Sequence, residues 1–278
     1  RRQRQMCIRD SYIMKRLLSL LILAFACSIS FAQEDDLTPE ELSRRGTNLY
    51  NAGNYAAAFP LLMSAAQDGY PFAQYMVGIC FRYGSGIGNN DKEAVKWFRK
   101  AMGRIDSAKT ELGICYQEGK GVPADMKKAI KMYRRAASSN DRKAQYRLSI
   151  CYEKGEGVEK DYAKALEWLI KSASQDYAVA QYRLGEHFEN GEMVKADAEE
   201  AGKWFVKASE NGSIGACTKL GNLFYNGKIV PQDYARALRW YRKAADRGST
   251  TVFNRIGDIY YYGNGMKKDI AQAEEWYR

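Results

Sequence analysis

After residue 32, one histidine, His187, and four cysteines, Cys80, Cys115, Cys151 and Cys217, are the side chains best suited to acid–base, nucleophilic or metal chemistry. An imidazole serves as a base or a ligand, and a thiolate as a nucleophile or a ligand. Each needs partners at set spacings. No His-Glu-x-x-His motif accompanies His187, and no Ser-x-x-Lys occurs in the chain. The glycine pairs Gly119/Gly121, Gly155/Gly157 and Gly263/Gly265 lack the third glycine of a dinucleotide-binding turn and the Gly-Lys-Ser/Thr of a phosphate loop. Five tryptophans would suit stacking on a sugar or a base. Where these residues sit in an internal repetition decides what each is for.

A small residue recurs at Gly78, Gly113, Ser149, Gly185, Gly221 and Gly257, spaced by 35 and then four times by 36. Three residues later comes an aromatic (Phe81, Tyr116, Tyr152, Phe188, Phe224, Tyr260), and six later a glycine (Gly84, Gly119, Gly155, Gly191, Gly227, Gly263) suited to the left-handed end of a helix. A second helix then begins at Asn90, Asp125, Asp161, Asp197, Asp233 or Asp269, all good N-cap residues. Four positions on stands an alanine (Ala94 to Ala273), and three beyond it Trp97, Met132, Trp168, Trp204, Trp240 or Trp276. Such a period specifies stacked helix-turn-helix units, none of which buries its apolar face alone. The fold class expected is all-α, an α-solenoid wound as a right-handed superhelix. A tryptophan in the same slot of nearly every unit is core, so Trp168→Ala is expected to cost about 3–5 kcal/mol.

Recurrence also disposes of the cysteines. Cys80, Cys115 and Cys151 fall two residues after the small position in consecutive units, one layer apart. Stacked helices lie about 8–10 Å apart, and disulfide Cα atoms must come within about 7 Å. The three are small buried hydrophobes. His187 occupies the same slot one unit later, which makes it a packing residue. The basic residues near the ends of the second helices, such as Arg99-Lys100 and Arg242-Lys243, complement the helix dipole.

The pattern Ala-Gln-Tyr-x-Leu-Gly, then Tyr, Gly-x-Gly-Val, Asp, Lys-Ala, Trp and Lys-Ala-Ala resembles the Sel-one-like repeat, a relative of the tetratricopeptide unit with a longer loop. The resemblance covers six units over residues 71–278, the last truncated at Arg278. Local departures are Ser149, Met132 and Met193. Residues 38–70 resemble a tetratricopeptide-like capping repeat, opened by Thr38-Pro39-Glu40-Glu41 with the spacing of a capping box. A disulfide-stapled, cysteine-rich branch of the family exists. Cys217 matches one of its two cysteine positions, but the partner position holds Ser209. The resemblance implies no catalysis and no cofactor or metal, and a concave face built from the first helices that binds a protein or peptide. Carried onto this chain, that face holds Tyr75, Arg82, Gln117, Tyr146, Glu153, Tyr182, Glu186, Glu189, Asn222, Tyr225, Asn254, Asp258 and Tyr261. Rigid aromatics among adaptable polar groups suit an extended peptide or a partner helix. Tyr75, Tyr146 and Tyr182 either bind or brace the neighbouring unit.

Residues 1–13 read as a non-native leader, because residues 1–11 resemble the translation of a sequencing adapter. Residues 14–32 read as a signal peptide: Met14-Lys15-Arg16, an apolar run from Leu17 to Phe31, and small residues Ser30 and Ala32 before an acidic linker, 33–37. Cleavage is expected after Ala32, and a lipid anchor at Cys27 is disfavoured by Ala24. The membrane would be met only through the uncleaved signal or that anchor. The leader and signal carry half of the formal charge of +10, so the remaining 246 residues show an ordinary surface with no case for nucleic acid. The function expected is an exported, periplasmic or secreted scaffold. The alternatives are binding of a cell-wall or β-lactam ligand, or an accessory part of an enzyme whose catalytic domain lies beyond Arg278.

Overall fold

The computed structural model describes residues 37–227 and 230–278. The leader, the signal peptide and most of the linker lie outside the described residues. Among those described, all regular structure is helical: α1 (Pro39–Asn51), α2 (Tyr55–Gln67), α3 (Pro71–Tyr83), α4 (Asp91–Ala101), α5 (Asp106–Glu118), α6 (Met126–Ser138), α7 (Arg142–Lys154), α8 (Tyr162–Ala173), α9 (Ala178–Asn190), α10 (Ala198–Glu210), α11 (Ile214–Asn226), α12 (Tyr234–Asp246), α13 (Phe253–Tyr262) and α14 (Ile270–Tyr277). The described residues form two compact units, divided between Ala108 and Lys109. Within the first, α1 pairs with α2, α3 with α4, and α2 packs on α3. Within the second, α7 pairs with α8, α9 with α10, α11 with α12 and α13 with α14, and each second helix packs on the first helix of the next pair. This is the packing of an α-solenoid.

The helix starts follow from the capping residues. Thr38 and Glu41 form a complete capping box: Glu41 N–H donates to Thr38 Oγ1 at 3.3 Å and Thr38 N–H to Glu41 Oε2 at 3.0 Å. Asn90, Asp125, Asp161, Asp197, Asp233 and Asp269 each accept from the backbone N–H three residues on, which satisfies a donor the helix leaves open. The first helices of the longer-turn units close on left-handed glycines, Gly155 for example at φ 75°.

The core slot lies one residue beyond the tryptophans. Phe98, Tyr133, Leu169, Phe205 and Tyr241 are fully buried or nearly so, and the aromatic rings lie against the small residue of the paired first helix. A Cβ on Gly185 would meet Phe205 Cε1 at 2.7 Å, and one on Gly113 would meet Tyr133 Cε1 at 2.6 Å. The pair that breaks the glycine pattern breaks the aromatic pattern too: it is Ser149 with Leu169, both buried. The tryptophans sit about 100° round the helix from that slot. Trp97 is buried, but Trp168, Trp204, Trp240 and Trp276 are half-buried between successive helix pairs. In four of the five, a lysine three residues on lies over the indole: Lys100 at 3.9 Å, Lys171 at 4.5 Å, Lys207 at 4.4 Å and Lys243 at 4.9 Å. The expectation that the tryptophan slot is the core holds at Trp97 and Met132, both buried, and is corrected at the other four, which pack on the edge of the core. The tryptophans seal the joints between pairs under a cationic lid, and the full burial penalty belongs to the next residue.

Candidate functional site: the face of the first helices

Four residues after the small position stand Glu153, Glu189 and Tyr225, and two before it stand Arg183, Lys219 and Arg255. Each of the former meets a cation from the next repeat. Glu153 pairs with Arg183 Nη2 at 2.5 Å, Glu189 with Lys219 at 2.7 Å, and Arg255 lies over the Tyr225 ring at 5.1 Å. Glu111 and Lys143 add a further pair at 2.5 Å. The predicted partner-binding acids are thus links in a ladder from repeat to repeat. Glu153 and Glu189 are mostly buried within it, and Glu186, 3.9 Å from Arg183, is half-buried.

The amides and Asp258 have a different local cause. Where the core slot carries a tyrosine, its hydroxyl needs an acceptor on the paired helix. Tyr133 donates to Gln117 Oε1 at 2.7 Å, Tyr241 to Asn222 Oδ1 at 2.7 Å, and Tyr277 to Asp258 Oδ1 at 2.9 Å. Gln117, Asn222 and Asp258 thus serve the core of their own repeats.

The tyrosines lean on their neighbours. Tyr75 is half-buried, with its ring 6.2 Å from that of Phe98. Tyr146 meets Tyr177, at the start of the next repeat, edge-on at 5.6 Å, and Tyr182 lies 5.6 Å from Phe205. Burial, and the negative charge of Glu186 beside it, push the Tyr182 hydroxyl up to about 12. Of the remaining predicted positions, Asn254 and Tyr261 are exposed, while Arg82, expected at the surface, is buried. Its guanidinium lies over the Tyr83 ring at 5.7 Å.

His187 is 1 % exposed, and neither ring nitrogen has a hydrogen-bond partner. Nε2 faces Glu153 Oε2 at 3.8 Å and Nδ1 faces Glu192 Oε2 at 3.4 Å. The three residues hold ligand atoms within 4.8 Å of one another. The two carboxylates nevertheless address opposite ring nitrogens, and Glu153 is already paired with Arg183, so the set is poorly arranged for one ion. Burial holds the imidazolium below its ordinary 6.5, outweighing Glu153, Glu192 and Glu186, which favour the charge, and adding to Arg183, which opposes it. The imidazole is thus folded neutral, while the unfolded chain takes up a proton as pH falls through about 6.5. Its contribution to stability is complete above that value and lost below it. Between pH 7.5 and 5.5 the melting temperature is expected to fall further in the wild type than in His187→Cys, which installs the residue of the preceding repeat. Parallel curves for the two proteins would show that the imidazole plays no part.

The cysteines behave as the spacing requires. Cys80, Cys115, Cys151 and Cys217 are buried and form no disulfide, and burial pushes Cys80 up to about 11 and Cys151 up to about 12. At neutral pH Cys80 and Cys151 are therefore protonated and unreactive.

The glutamine of the Gln-Tyr pair was not singled out in the sequence. Gln74, Gln145 and Gln181 donate to the carbonyls of Ala66, Ala137 and Ala173 at 3.3, 3.3 and 3.0 Å, tying each first helix to the end of the second helix before it. Cys217 stands in that slot one repeat later, and Arg247 reaches the equivalent carbonyl, that of Ser209, at 2.5 Å. The available signal was a polar residue recurring four positions before the small one, where a buried amide must have a partner.

Comparison with known proteins agrees with this geometry. No curated protein matches. Among solved structures, a Sel1 repeat protein from Oxalobacter formigenes is 32% identical over 84% of this chain and 97% of its own, with a TM-score of 0.72. The protective antigen c5321 of uropathogenic Escherichia coli, which displays an SLR fold, is 27% identical with a TM-score of 0.67, covering 87% of this chain and 56% of its own. The immunity protein Pa5087 of Pseudomonas aeruginosa shares the fold at 18% identity and a TM-score of 0.57, over 77% of this chain and 86% of its own. The Sel1 repeat pattern itself matches residues 71–101, 106–141, 142–177, 178–213, 214–249 and 254–278, the segments in which the capped helix pairs and the glycine–aromatic contacts recur, and the chain belongs to the Sel1 repeat family.

Proposed function

We propose that this protein is an exported, non-enzymatic scaffold of the cell envelope that binds a protein or peptide along the face of its first helices. The Sel1 repeat fold is commonly a protein-interaction scaffold. The observation that carries the reading is the ladder Glu153–Arg183, Glu189–Lys219 and Tyr225–Arg255, which fixes charged and aromatic groups of successive repeats in one row before any partner arrives. Groups already ordered lose little side-chain entropy on binding. Extended polypeptide, with its repeating polar backbone, matches a row of such groups. Export rests on the basic, apolar and small-residue pattern of residues 14–32.

Capture from an envelope fraction by the wild type is expected to be lost or weakened at least about tenfold in Glu186→Ala/Glu189→Ala and in Tyr182→Ala, as for central contact residues. Circular dichroism would show that each variant stays helical. Unchanged capture of every partner would sink the assignment to this face. Mass spectrometry of the mature protein should find Gln33 at its N-terminus. A chain that retains residues 14–32 would remove the case for export by cleavage.

A further inference from the structure

The helix glycines among the described residues have a visible reason, a side chain packed against them (Leu62 at Gly46, aromatic rings at the others), with one exception on α10. At Gly202 an added Cβ would meet nothing within 4 Å. The slot, one after the recurrent alanine, holds Val95, Ile130, Leu166 and Leu238 in other repeats and Glu274 in the last. The aliphatic residue there supports the tryptophan of the following repeat. Ile130 and Trp168 share one core cluster, Leu166 and Trp204 another, and Leu238 and Trp276 a third. Trp240 alone has a glycine where that support should be. Glycine inside a helix costs stability relative to alanine, and no close approach offsets the cost here.

The missing side chain leaves a cavity of about 580 Å³ between α10, α11 and α12, a size typical of ligand pockets. Its floor and walls are Val206, Leu220, Leu223, Phe224 and Trp240. Its rim is one-sided in charge. Arg236, Arg239 and Lys243 border it, and among the described residues no carboxylate lines it. Asp233 takes up Arg236 at 3.2 Å, and Lys243 lies over Trp240. Arg239 is exposed and makes no ion pair or hydrogen bond among the described residues.

We infer that this cavity is a second binding site, which takes a bulky apolar side chain of an acidic peptide segment of a partner protein. The charge pattern selects the peptide over a single-headed amphiphile. The three cations stand at i, i+3 and i+7 along α12, one stripe about 10 Å long. One headgroup would meet the end of such a stripe. About three residues of extended peptide, at roughly 3.3 Å each, run its length and place carboxylates on it while an apolar neighbour enters the hole beside Trp240. The site lies apart from the row of first-helix residues, so either proposal can fail alone.

The test uses a fluorescein-labelled peptide, Asp-Glu-Leu-Phe-Glu-Asp, followed by fluorescence polarisation on the full chain. Gly202→Leu restores the residue type of the other repeats, so it should fold with an unchanged or higher melting temperature while weakening the peptide at least about tenfold. Arg239→Glu should weaken it about fivefold at low salt, and less at high salt. Replacing Leu-Phe in the peptide by Ser-Ser should abolish binding, whereas Glu186→Ala/Glu189→Ala should leave it intact. Equal affinity for wild type and Gly202→Leu would overturn the inference. So would the absence of saturable binding, or binding of decanoate that the peptide does not displace.

Discussion

Phe205→Ala is expected to lower the free energy of unfolding by about 3–5 kcal/mol, the range for truncating a large buried aromatic. The side chain is 0 % exposed and fills the space between α9 and α10, with Gly185 beneath its ring and Tyr182 beside it. The surroundings cannot collapse into the hole, because the small residue opposite supplies no side chain to move. Ala201 and Leu220 of the same cluster would lose contacts on both sides of a repeat joint, and in a stacked array that loss falls on the interface terms that hold neighbours together. Chemical denaturation of the wild type and the variant measures it. A difference below about 1 kcal/mol would mean that Phe205 is not the core residue of its repeat. Trp204→Ala, by contrast, removes a half-buried ring and should cost less than Phe205→Ala.

Overpacking the same contact should be destabilising and repairable. Gly185→Ser places a Cβ 2.7 Å from Phe205 Cε1, which forces the ring off its position and is expected to cost about 1–3 kcal/mol. The chain contains the compensated arrangement, Ser149 with Leu169, in which the serine hydroxyl donates to Tyr146 O at 2.7 Å and the residue opposite is smaller. Adding Phe205→Leu to Gly185→Ser should therefore recover part of the loss, a coupling that a double-mutant cycle reads directly. Strict additivity of the two changes would refute the pairing.

The repeat period and the helix boundaries were legible because their causes are local. An Asp or Asn caps whatever helix follows it, and a glycine ends one, so Asp161 and Gly155 announce their roles without reference to the rest of the chain. The core slot was harder. Recurrence marks Trp168 and Leu169 equally as positions under constraint, and only the rotation of α8 against α7 decides which of two adjacent residues points inward. The face of the first helices was harder still. Asn222 and Asp258 differ from Ile150 at the same slot, which reads as functional variation. In the structure Asn222 and Asp258 accept from the hydroxyls of the core-slot tyrosines nineteen positions on, Tyr241 and Tyr277, whereas the residue nineteen after Ile150 is Leu169, which has no hydroxyl. Reading Glu153 against Arg183 and Glu189 against Lys219, thirty residues apart, would have revealed the ladder, since opposite charges at a constant offset in a repeat array are neighbours. Gly202 was visible as a departure in the sequence, but its cavity is a property of three helices together.

The glutamine ties give the second unit a mechanical character. Before α7 and α9 a buried amide fastens each first helix to the carbonyl end of the preceding helix, and before α11 Arg247 does so from farther along the chain. Before α13 the slot holds Phe253, whose ring packs edge-on at 5.6 Å on Trp276 of its own helix pair, a contact that ties nothing to α12. Three joints fastened to the carbonyl end of the preceding helix, and one without that tie, crossed by Arg242 donating to the Tyr260 hydroxyl, make an array of unequal latches. Pulled from its C-terminal side, such an array yields first at the joint before α13, and the remaining repeats follow as separate steps.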